Sequence, residues 1–105
     1  MTLPSRLVIS GVPGSGKSFF VDWLAETQGF LVLKADDNSI AFNAVWHAAQ
    51  TGHAALVKAS IVYAMHRHLA IELGFVPAEP ALTGVRTLIA AGFDGWWFPA
   101  DYPAP

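Results

Sequence analysis

Gly11-Val12-Pro13-Gly14-Ser15-Gly16-Lys17-Ser18 puts three glycines, a lysine and a hydroxyl into the spacing G-x-x-x-x-G-K-[ST]. Glycines let backbone N–H groups turn inward and approach phosphate oxygens, forming a concave nest that a Cβ would obstruct. A helix starting near Lys17 adds the positive end of its dipole to the same spot. Lys17 then reaches the outer phosphates of a polyphosphate as a point charge, and the Ser18 hydroxyl ligates the Mg²⁺ that bridges them. Pro13 stiffens the loop, and Gly11, Val12, Pro13, Gly14, Ser15, Gly16, Lys17, Ser18 and Phe19 form the expected binding set. In a chain of 105 residues the pattern arises by chance about a few times in a thousand, so a glycine-rich turn that merely ends in Lys-Ser is the weaker explanation.

Such a loop needs a strand to end before it and a helix to begin after it. Leu7-Val8-Ile9 is a continuous apolar run of the kind buried in a parallel sheet. Phe19 to Thr27 has helical spacing, with Phe20, Trp23 and Leu24 apolar, Asp22 and Glu26 on the wet face, and Gly29 beyond the end. Phe30-Leu31-Val32-Leu33 predicts a second buried parallel strand that runs into Lys34-Ala35-Asp36-Asp37. Two carboxylates therefore stand at a strand's C-terminal end, where open α/β sheets bind ligands. Their plainer reading is as solvated turn residues, one of them capping the next helix.

Asp37 or Asn38 is the expected cap of a helix over Ser39 to Gln50, with one stripe of Ile40, Ala41, Ala44, Val45 and Ala48 and another of Asn43, His47 and Gln50. Gly52 breaks it. His53 to Leu73 reads as helix on its alanines, Met65 and Leu69, although Ser60-Ile61-Val62-Tyr63 fits a short strand and periodicity does not arbitrate. Gly74 stops that segment, and Pro77 and Pro80 mark a turn. Ala81 to Ala91, with Leu82, Val85, Leu88 and Ile89, predicts a helix closing on Gly92. Phe93-Asp94-Gly95-Trp96-Trp97-Phe98 is a third strand, aromatic on both faces and so expected inside the sheet with both tryptophans in the core. Residues 99–105, with three prolines, read as an irregular tail. The expected fold is a single three-layer α/β domain over residues 1–105, with a small, mostly parallel sheet of about three strands flanked by helices.

Composition narrows the partners. Hydrophobic residues make up 53% and charged residues 13%, against roughly a quarter charged in ordinary soluble domains, so a second copy, a partner chain or a missing part is expected to cover apolar surface. Net charge is −2, and the six basic residues are scattered singly, which argues against nucleic acid. Without cysteine there are no disulfides or thiolate metal sites. No signal peptide pattern and no run near the ~20 apolar residues of a membrane span is visible, so a cytoplasmic protein without a membrane partner is the expectation.

From Leu7 to Asp37 the chain resembles the opening of a P-loop kinase of the small-molecule type: strand, phosphate loop, helix, second strand, acidic pair. Leu88-Ile89-Ala90-Ala91-Gly92-Phe93 with Trp96-Trp97-Phe98 and Asp101 resembles, more loosely, the helix and strand that precede the lid of these kinases. The resemblance implies a P-loop NTPase-like fold, ATP and Mg²⁺ as cofactors, and transfer of the γ-phosphoryl to a small hydroxylated acceptor. It makes Lys17 and Asp36 catalytic, Asp36 by orienting or deprotonating the acceptor, and places Ser18 and Asp37 in the metal shell.

The departures are as specific. Family members carry an acid at the end of a strand beside the phosphate loop, but Asn38 to Ile71 contains no Asp or Glu, leaving Asp36, Asp37, Asp94 and Asp101. Asn-Lys-x-Asp and an aliphatic run ending in Asp-Glu are both absent, which sets aside GTPases and ring-forming ATPases. For cationic lid groups the chain offers Arg67 and Arg86 beyond Arg6, and it stops where the lid would follow. A non-catalytic nucleotide-binding module or a remnant that relies on a partner chain therefore stays open beside the kinase, as does a structural domain that inherited the loop. His47, His53, His66 and His68 have no carboxylate or thiolate company at ligand spacing and read as helix-surface positions, as does Arg67. Asn43, His47 and Gln50 would recognise a polar substrate if their helix lined the cleft.

Overall fold

Alternation along the first strand sets the architecture. In strand β1 (Arg6–Gly11) Leu7, Val8 and Ile9 are all buried, with Leu7 and Ile9 in one apolar cluster and Val8 in another. A strand buried on both faces needs cover on both. The computed structural model describes residues 3–12, 16–74 and 78–98. After β1 come α1 (Lys17–Thr27), β2 (Leu31–Lys34), a 3-10 turn (Ala35–Asp37), α2 (Ile40–Gln50), α3 (Ala54–Lys58), α4 (Ile61–Met65), β3 (Leu69–Glu72), α5 (Glu79–Ala90) and β4 (Asp94–Phe98).

The four strands form one sheet in the order β2-β3-β1-β4, and every pairing is parallel. Helix α1 covers one face, where Val21 and Leu24 pack with Leu7, Ile9, Phe30 and Ala70. The other helices cover the opposite face, where Phe42, Val45 and Ala49 of α2, Val57 of α3 and Leu88 of α5 meet Val8, Leu33, Leu69 and Ile71. Handedness requires this division. The β1-to-β2 connection crosses the sheet one way and the β3-to-β4 connection the other, so right-handed crossovers put α1 and α5 on opposite faces. Between β1 and β3 the connections diverge, and the carboxyl ends of those two strands open a crevice.

The structure differs from the sequence expectation at several points. Among the described residues there are four strands rather than about three, because 53–73 is not one helix. Ser60 divides it: its hydroxyl donates to Val57 O at 2.7 Å, closing α3, and accepts from the Tyr63 N–H at 3.4 Å, opening α4. The strand lies at 69–72 and not at 60–63, inserted between β1 and β2 with all four residues buried. The cap of α2 is Ser39, whose hydroxyl accepts the Phe42 N–H at 3.0 Å, and not Asp37 or Asn38. Ile40, expected on the apolar stripe, is 90% exposed. Strand β4 is an edge strand among the described residues, not an internal one. Its aromatics divide accordingly: Trp96 stacks on Phe20 of α1 at 5.2 Å between ring centroids, whereas Trp97 is half exposed. The tail at 99–105 and the turn at Pro77 lie outside the described residues.

Candidate functional site

The crevice is a cavity of about 360 Å³ lined by Gly16, Lys17, Ser18, Phe19, Asp36, Glu72 and Gly74. Three separate elements build it. Gly16 precedes α1 with φ 86°, a left-handed conformation natural to glycine, and directs Lys17 and Ser18 into the first turn at the cavity. Just upstream, β4 approaches closely: a Cβ on Gly11 would stand 2.8 Å from the Phe98 Cβ, and the Val12 N–H donates to Phe98 O at 3.2 Å. The second wall is the turn after β2, which carries Asp36. The third is the end of β3, where the Leu73 N–H extends the ladder to Ile9 O at 2.8 Å and fixes Glu72 and Gly74 beside β1. These two walls touch, since a Cβ on Gly74 would lie 2.6 Å from Asp36 Oδ1.

Lys17 is 7% exposed and Glu72 4%, yet the ion pair within 4 Å among the described residues is Lys34 with Asp22 and not these two. Burial pushes the Glu72 carboxyl above its ordinary value; Lys17 and then Lys34 oppose this, while Asp36 and Asp37 add to it. Lys34 is raised chiefly by its 3.0 Å hydrogen bond to Asp22, a link that ties β2 to α1. Among the described residues no group of three or more His, Asp and Glu is arranged to hold a metal unaided. One hydroxyl and one or two carboxylates are what Mg²⁺ takes from a protein when phosphate oxygens and water fill its other positions. The residues here fit that donor set.

Of the expected binding residues, Gly16, Lys17, Ser18 and Phe19 line the cavity together with Asp36. Gly11 and Val12 stand at the end of β1 behind it, and Pro13, Gly14 and Ser15 lie outside the described residues, as does Asp101. Asp37 is on the same turn as Asp36 but is exposed and does not line the cavity. Asp94 is at the wrong end of the sheet: it pairs with Leu7 at the start of β1, and its carboxylate accepts from Trp96 Nε1 at 3.1 Å. Asn43, His47, Gln50, Arg67 and Arg86 are exposed and none lines the cavity. Glu72 is the residue that sequence reasoning missed. Its signal was the apolar run Leu69-Ala70-Ile71 ending in an acid and, after Leu73, Gly74.

A second cavity, of about 330 Å³, lies between α5 and β4 against Val8, Ser10, Leu82, Val85 and Trp97. It contains no charged side chain, whereas the first holds Lys17, Asp36 and Glu72. Fold and site together define an α/β protein with a charged cleft at the carboxyl ends of a parallel sheet. Compared with family models, with curated proteins and with solved structures, the chain matches none.

Proposed function

We propose that this chain binds ATP with Mg²⁺ in the Gly16–Gly74 cleft and, as a P-loop kinase-like protein, transfers the γ-phosphoryl to a small hydroxylated acceptor. The observation that carries the reading is the pair Lys17 and Glu72: opposite charges, each more than nine-tenths buried, facing one cavity without meeting. Neither charge meets an ion-pair partner within 4 Å among the described residues, and a phosphate chain carrying a cation would satisfy both at once. Glu72 also occupies the place the family resemblance requires, the end of a strand directly beside the loop strand. This supplies the acid that the stretch Asn38 to Ile71 lacks.

In this reading the α1 N-terminus and Lys17 hold the phosphates, while Ser18 and Glu72 face the cation, with Asp37 close enough to add its field. Mg²⁺ held by Ser18 and Glu72 would supply charge neutralisation to the phosphates. Asp36 takes the proton of the acceptor hydroxyl as its oxygen bonds to phosphorus, the bond to the ADP oxygen breaks, and the proton passes to solvent. The lack of cysteine fits a cytoplasmic setting, and no helix among the described residues is long and apolar enough to cross a membrane.

A second reading, nucleotide binding without transfer, is favoured by one observation: among the described residues no arginine lines the cleft. Following ATP binding and ADP release for the wild type, Lys17→Ala and Asp36→Ala separates the two. Loss of Lys17 removes charge-assisted hydrogen bonds of about 1.5–3 kcal/mol, so binding should weaken roughly ten- to hundredfold. Asp36→Ala should keep binding and lose transfer. Lys17-dependent binding with no turnover would leave the second reading; binding indifferent to Lys17 would end both.

A further inference from the structure

We infer that the acceptor is a polyhydroxylated compound that is uncharged or carries an ammonium group, and not one bearing a carboxylate or phosphate. The inference rests on the nucleotide reading above and names the substrate class of the same cleft. It follows from where the cations are. The sequence has six Lys and Arg residues, and the structure describes every one. Arg6 lies over the Tyr63 ring at 3.8 Å and donates to Tyr63 O at 3.0 Å, at the start of β1 and so at the far end of the sheet. Arg67 is exposed just before β3, also at the amino end. Lys58 and Arg86 are exposed on α3 and α5, helices of the opposite face. Lys34 is in register with Glu72, but its ammonium is held by Asp22 at 3.0 Å. Lys17 alone of the six lines the cleft, and it sits at the helix N-terminus where the phosphates belong.

The opposite wall is acidic. Asp36 is exposed to the cleft and accepts no hydrogen bond among the described residues, and its carboxylate rests on the bare Cα of Gly74. Glu72, buried and likewise without a hydrogen-bond partner among the described residues, faces the same space. The loop residues 13–15 and the residues 75–77 that follow the cleft carry no charge in the sequence. A triphosphate with one Mg²⁺ stays anionic, and the single Lys17 charge is offset by Glu72, so the loaded cleft remains negative where the acceptor must enter. A second anion would meet like charge with no cation to receive it. Hydroxyl or ammonium donors would meet Asp36, the carboxylate left free to accept from them when Glu72 faces the cation.

The test uses one six-carbon skeleton in four charge states: D-glucamine, D-glucitol, D-gluconate and D-glucitol 6-phosphate. Each is titrated calorimetrically into the whole chain loaded with a non-hydrolysable ATP analogue and Mg²⁺, and each is assayed for ADP release with ATP. Glucamine and glucitol should bind at least tenfold more tightly than either anion, and Asp36→Asn should abolish that preference. An anion binding as well as the other two, a ranking unchanged in Asp36→Asn, or no binding by any of the four would overturn the inference. Failure of the analogue itself to bind appears in the loading titration and counts against the nucleotide reading on which this one depends.

Discussion

Glu72 is held in an unfavourable state by the folded chain. Burial raises its carboxyl's pKa above the ordinary 4.5; Lys17 and Lys34 oppose the rise, and Asp36 and Asp37 add to it. A residue that destabilises the empty protein is retained where a ligand uses it, as perturbed groups at functional sites are. The sign of the pH effect follows. Well below 4.5 the carboxyl is protonated in both folded and unfolded chains and carries no penalty. As pH rises through that value toward the higher folded one, the unfolded chain loses the proton first, and stability falls. Glu72→Gln removes the ionisation, so urea denaturation of the ligand-free variant should match wild type at low pH and exceed it increasingly toward neutrality. The same substitution should weaken Mg²⁺-dependent ATP binding by about ten- to a hundredfold, as loss of metal-shell groups does. Equal stability of the two proteins at neutral pH would mean that Glu72 is not strained in the empty cleft.

Elements were legible where one segment declared itself and illegible where a neighbour decided. The apolar runs of β1 and β2, the loop between them and the helical spacing of α1, α2 and α5 are local signals, and each element lies within a few residues of its expected place. Strand β3 is different. Four residues, Leu69–Glu72, follow a stretch of alanine and methionine that favours helix, and only the slot between β1 and β2 makes them extended. Because the strand was hidden, so was the acid at its end. The edge position of β4 was equally invisible, since Trp96 and Phe98 owe their burial to Phe20 of α1 and not to a further strand. Helix-to-helix fit is also set by neighbours. Where α2 meets α5, a Cβ on Gly84 would stand 2.6 Å from the Trp46 ring. Gly84→Ala forces the ring or a helix aside, and overpacking of this kind costs about 1–3 kcal/mol. Urea unfolding should register that loss while the ATP dissociation constant stays at the wild-type value, because this contact is on the sheet face away from α1. A changed dissociation constant would mean that the two faces are coupled.

The cleft belongs to the whole molecule, since residues 16–19, 36 and 72–74 come together only when the parallel sheet has formed. The unfolded chain keeps the phosphate-loop sequence but has neither the buried Lys17 nor the carboxylates across from it, so it should not compete for ATP·Mg²⁺. A ligand that binds only the folded state at a hundred times its dissociation constant adds about 2.7 kcal/mol of stability. For a chain of this size that is a rise in melting temperature of roughly 10 to 20 °C. A structural domain that merely inherited the loop predicts no rise at all. Two variants locate the origin of any shift. Gly84→Ala, destabilised far from the cleft, should gain as much from ATP·Mg²⁺ as wild type does, whereas Lys17→Ala at the same ligand concentration should gain almost nothing. If both variants gained equally, the nucleotide would be stabilising the protein from somewhere other than the cleft, and the arrangement of Lys17 against Glu72 would need another explanation.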